Sequence, residues 1–176
     1  MNALLSHPYN LNRLGSAGDT VAFSADADQL AAIAAWSDVT AIARFDVKVD
    51  LRKIGPTRFG LDFTLTADVI QACVVTLEPV PAHIERQFTR ELHFAGGIRR
   101  KLPESGAEIV LDADPDEGPE EIESLHYDLA GPVLEEYTLA LDPYPRREGV
   151  EFEPPADGMP APESPFAALK SLKSGL

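Results

Sequence analysis

The chain has 176 residues and a single cysteine, Cys73, so no intramolecular disulfide can form and nothing points to an oxidising compartment. No apolar run approaches the roughly 18 residues needed to cross a bilayer. The opening stretch, Met1 to Pro8, lacks a basic n-region and a long apolar h-region, so no secretory leader is expected. A soluble cytoplasmic protein without a membrane partner is the expectation. Gly-rich phosphate loops and Gly-x-Ser-x-Gly turns are absent. The four histidines, His7, His83, His93 and His126, have no metal-ligand spacing and no companion cysteines. Neither a catalytic residue nor a metal or other cofactor is expected.

Positive charge is also scarce. There are 15 Lys+Arg against 29 Asp+Glu, a formal net charge of −14, and no Lys or Arg occurs from Leu102 to Tyr144. Such a chain repels a phosphate backbone at long range and suits a basic partner better. What is present is an ordinary globular composition, 44% hydrophobic and 25% charged, enough for one core.

The first fifteen residues are polar and turn-rich and read as an extended lead-in. Thr20 to Phe23 reads as a strand. Asp26 and Gln29 form a capping box for a helix to about Trp36 that buries Leu30, Ile33, Ala34 and Trp36. Ala41, Ala43, Phe45, Val47, Val49 and Leu51 then alternate with polar residues, as do Phe59, Leu61, Phe63, Leu65, Ala67 and Val69. With Gly55-Pro56 between them, this predicts an antiparallel hairpin with one wet face. The alternation slips after Val69, which predicts a bulge or a strand buried on both sides. Ile84 to Phe94 fits a helix or a strand and is taken as a strand ended by Gly96-Gly97. Short strands are expected at Ile109–Leu111 and Ile122–Tyr127. A helix from about Asp128 to Leu141 carries an apolar stripe of Leu129, Val133, Tyr137 and Leu141, and Pro143 and Pro145 stop it.

The fold class is therefore α+β: a mostly antiparallel sheet with two or three helices packed on it, and an extended C-terminal tail. Residues 1–152 form the domain. Residues 153–176 form a Pro-rich acidic linker and a short amphipathic helix, with Ser164 as N-cap and Phe166, Leu169 and Leu172 on one side.

Asp112, Asp114 and Asp116, with Glu123, fall at calcium-loop positions one, three, five and twelve. Glu117, however, occupies the position where the loop needs glycine, and Pro115 stiffens it. A solvated acidic loop is the better reading, and weak divalent-metal binding the alternative. Cys73, with His83 or His93 as base, invites a nucleophile reading, but Ile70, Val74 and Val75 around it indicate a buried small hydrophobe. Arg86, Arg90, Arg99, Arg100 and Lys101, with Arg146 and Arg147 further on, would make an RNA-contacting patch if they met on one face. Pairing with the surplus carboxylates is the preferred reading.

Three segments together resemble the YceD-type family of large ribosomal RNA subunit accumulation proteins. They are Cys73-Val74-Val75-Thr76-Leu77-Glu78-Pro79-Val80; Asp128-Leu129-Ala130-Gly131-Pro132-Val133-Leu134-Glu135-Glu136, continuing to Asp142-Pro143-Tyr144-Pro145; and Pro165 to Leu169. The resemblance implies a role in large-subunit rRNA accumulation and no established reaction. Many relatives carry a second cysteine where this chain has Thr76, so a dithiol or zinc role cannot be general to this motif. The expected partner is a basic ribosomal protein or a pre-50S particle, with rRNA itself as the alternative. The acidic block (Asp112, Asp114, Asp116, Glu117) and the tail (Phe166, Leu169, Leu172) are the candidate protein-binding residues.

Overall fold

The structure, a computed structural model, describes residues 4–96 and 118–151. The two alternating stretches form long antiparallel strands, β3 (Ala41–Lys53) and β4 (Arg58–Ala72), joined across Gly55-Pro56. Phe45 to Leu51 and Phe59 to Val69 bury every second side chain on one face, as the pattern requires. A short strand, β2 (Asp19–Ser24), pairs with β3, and β5 (Pro79–Phe94) pairs with β4, both antiparallel. A last strand, β6 (Glu120–Ile122), lies parallel to β5, giving the order β2-β3-β4-β5-β6. Outside this sheet, Pro8–Asn10 (β1) and His126–Asp128 (β7) form a two-stranded antiparallel ribbon.

Helix α1 (Ala27–Trp36) begins at the expected capping box. Asp26 accepts from the Gln29 amide, and the Gln29 side chain accepts from the Asp26 amide, each at 2.9 Å. Helix α2 (Ala130–Ala140) presents Val133 and Tyr137 to the sheet. Tyr137 meets Phe45 edge-on at 5.3 Å, and its hydroxyl lies 3.2 Å from Ser37 Oγ at the end of α1, so both helices share one core with the sheet. The opposite sheet face stays wet and is laced by ion pairs: Arg44–Asp68 (2.9 Å), Lys48–Asp50 (2.8 Å), Arg52–Asp62 and Arg58–Glu91 (3.6 Å). The α+β class holds.

Five expectations need correction. The irregularity lies in β3, between Ile42 and Arg44, so Ile42 points inward in place of Ala41 and Ala43. No slip follows Val69, because Gln71 and Cys73 keep the inward parity of β4. Trp36 is 48% exposed rather than buried. The lead-in is part of the core, with Leu5, Leu11 and Leu14 buried and a 3-10 turn at Leu11–Arg13. The strand expected at Ile122–Tyr127 is two short strands, β6 and β7, that join different sheets. Ile84–Phe94 is a strand, as expected, and begins earlier, at Pro79. The strand expected at Ile109–Leu111 and the tail helix lie outside the described residues.

Candidate functional site

Cys73, Leu77, Glu78 and Pro79 make the turn between β4 and β5. Leu77 N–H donates to the Cys73 carbonyl (2.9 Å) and Cys73 N–H to the Glu78 carbonyl (2.8 Å). Leu77 takes a positive φ of 61°, the left-handed region that side chains rarely adopt. The segment after α2 clamps this turn. Val74 N–H donates to the Pro145 carbonyl (2.9 Å), the Arg147 guanidinium to Glu78 (2.6 Å), and the Gln71 amide to the Asp142 carbonyl (2.9 Å). Gln71 is the one buried polar residue among the described residues, and this bond explains its position. The Cys73 sulfur is wholly inaccessible. Its thiol is drawn down to about 6 by the Thr76 hydroxyl and by the N–H groups of Arg147, Thr76 and Val75, which outweigh the opposing effect of burial. Arg147 likewise holds the Glu78 carboxyl below its usual range. His83, the candidate base for this thiol, instead lies 2.6 Å from Asp68 on the wet sheet face. A turn this occupied is a structural joint.

An open cleft of about 870 Å3 lies between β5, the β6–β7 segment and α2. Among the described residues, Glu120, Asp128 and Glu135 line it with one cation, Arg90, while Glu91 at its edge is paired with Arg58. Arg90 reaches both Glu135 (3.5 Å) and Glu136 (3.6 Å) on α2 and lies 6.0 Å from the Phe88 ring centre. Tyr127 donates to Glu120 (3.2 Å), and burial together with the Glu120 charge pushes its hydroxyl well above the usual range. Asp128 ties the N-terminal segment to α2, accepting from His7 N–H (2.7 Å), Ser6 Oγ (2.8 Å) and Ala130 N–H (3.0 Å). Burial would raise its carboxyl, but these donors outweigh it and leave it below the usual value. Fixed carboxylates around an open hollow can receive lysine or arginine side chains.

Residues 61–173 match the family model described as large ribosomal RNA subunit accumulation protein YceD. The chain belongs to the YceD family. No curated protein and no solved structure matches it. The matched span takes in the Cys73 turn, the cleft and α2, and leaves out β1 to β3 and α1. Among the motif residues, Leu129 is buried under α2, Pro145 is buried in the clamp, Pro143 is exposed, and Glu135 stands at the cleft. Of the candidate RNA-contacting residues, Arg86 and Arg90 do share one face of β5. Arg86 is exposed, while Arg90 is engaged by two glutamates. Arg99, Arg100, Lys101, Asp112, Asp114, Asp116, Glu117, Phe166, Leu169 and Leu172 lie outside the described residues. Sequence reasoning missed Gln71, Asp142 and the structural use of Arg147, because their partners lie some seventy residues away. Among the described residues, no helix is long and apolar enough to cross a membrane.

Proposed function

We propose that this protein is a non-enzymatic factor in large-subunit biogenesis that acts in the cytoplasm by binding a basic ribosomal protein or an early pre-50S intermediate. Its family ties it to accumulation of the large-subunit rRNA. The observation that carries the binding mode is the charge balance of the cleft: among the described residues, Glu120, Asp128 and Glu135 stand around one arginine, Arg90, which is already held by α2. The same economy extends over the domain. Among the described residues, Arg44, Lys48, Arg52, Arg58, Arg90 and Arg147 sit on carboxylates, so these cations are already engaged and less available to track a phosphate backbone. An acidic surface of this kind steers a basic partner into register and speeds its encounter.

The test is charge reversal in the cleft. Glu120 and Glu135 are both exposed, so Glu120→Lys with Glu135→Lys can be made without opening the core. In cells relying on that variant, the ratio of large- to small-subunit rRNA should fall, while the purified variant melts like the unaltered protein. An unchanged rRNA ratio would refute the cleft as the docking surface. A drop seen only with Arg86→Ala would favour direct RNA contact.

A further inference from the structure

We propose that the C-terminal segment carrying Phe166, Leu169 and Leu172 docks in cis on the apolar corner formed by Val74, Leu77 and Tyr144. Six large apolar side chains are exposed among the described residues, and three belong to this corner: Val74 at 46%, Leu77 at 79% and Tyr144 at 71%. The bond from Val74 N–H to the Pro145 carbonyl sets Tyr144 beside the turn. Leu77 is doubly unfavourable where it stands, apolar in water and held at positive φ, a position where glycine would be unstrained. An apolar side chain kept in such a conformation fits a surface that something covers.

Where the chain goes next identifies the cover. The described residues end at Glu151, four positions after Arg147, whose N–H and guanidinium are fixed to Cys73 and Glu78 of the turn. Four residues reach at most about 15 Å, so Glu151, from which the chain continues, is within that distance of the corner. Fourteen residues separate Glu151 from Phe166. Such a spacer spans about 20 Å as a coil and about 40 Å as extended polyproline, so folding back needs no strain and the local concentration is high. Phe166, Leu169 and Leu172 recur at a spacing that lines one side of a helix. Lys170 and Lys173 accompany them, and exposed Asp142, Glu148 and Glu151 lie near the corner in sequence, against exposed Arg146 and Arg147, the latter already paired with Glu78. The family match is an independent support. It runs from residue 61 to 173 and so contains both the corner and these tail positions, while the first sixty residues lie outside it.

Hydrogen exchange read by mass spectrometry on the full chain at low micromolar concentration tests the contact. Phe166→Asp with Leu169→Asp should speed exchange at residues 74–78 by about tenfold, the change expected when a site occupied nine parts in ten is vacated. Conversely, Leu77→Asp or Val74→Asp should speed exchange at 166–172, with the β4 amides unchanged as the check on folding. Exchange of 166–172 at the rate of an unstructured peptide in the unaltered chain would overturn the proposal and leave that segment for a partner. Protection that grows with protein concentration, alongside a dimer mass in sedimentation, would overturn it in favour of a second copy.

Discussion

Replacing Gln71 by Leu should loosen the joint between the Cys73 turn and the segment after α2, and Cys73 itself reports the result. The sulfur is inaccessible, so a thiol reagent reaches it only when residues 142–147 lift away. Gln71 supplies one of four ties across that joint, the others being Val74–Pro145, Arg147–Glu78 and the Arg147 N–H on the Cys73 sulfur. Leu keeps the apolar bulk of the side chain but removes the donor to the Asp142 carbonyl, a loss of about 1–2 kcal/mol. Labelling at low reagent concentration follows the population of the open form. A shift of that size should therefore raise the rate about 5- to 30-fold. The control is Tyr137→Phe, which removes a comparable bond to Ser37 far from the joint. It should lower global stability with little effect on labelling. An unchanged rate in Gln71→Leu, or an equal rise in Tyr137→Phe, would refute local opening of the joint.

Three further outcomes follow from the same geometry. Gly18 has φ +78°, and a Cβ there would lie 2.8 Å from the Leu51 carbonyl oxygen, so Gly18→Ala should cost roughly 1–3 kcal/mol in thermal melts. Gly15→Ala, with open space around it, should not. Asp26→Ala breaks the capping box of α1 and should cost about 1 kcal/mol, with Asn largely restoring it in the same melts. The Cys73 thiol, lowered to about 6 in the fold, contributes stability that is full above the ordinary thiol value and lost as pH falls through 6. Unfolding free energy measured by denaturant titration should therefore rise from pH 6 to 9, and Cys73→Ser should remove that rise.

The hairpin of β3 and β4 was legible because one-sided burial writes itself as period-two alternation, and α1 because Asp26 and Gln29 sit at capping distance. Where burial depends on distant partners, the pattern misled. Gln71 reads as a break in β4 because its polarity hides an inward position that only the Asp142 carbonyl, 71 residues on, makes tolerable. Conversely, Ala41 and Ala43 fit the alternation, but a bulge that the sequence does not mark turns Ile42 inward in their place. Leu11 and Leu14 are one turn apart, but with Leu5 six residues earlier the run is too short to show a sustained period, so the burial of this segment left little local signal. The motif residues of the site were named from sequence, but not that Glu78 joins Arg147 or that Arg90 is spent on α2. Those are facts of tertiary placement.

The central claim is that the protein binds a basic protein through its acidic cleft. Affinity purification of the full chain, with bound protein and RNA both identified and RNase applied before elution, tests it most directly. A basic large-subunit ribosomal protein should be recovered, should survive RNase, and should be lost when Glu120→Lys and Glu135→Lys are introduced. Recovery of large-subunit rRNA free of any basic protein, unaffected by those substitutions and abolished by Arg86→Ala, would contradict the account.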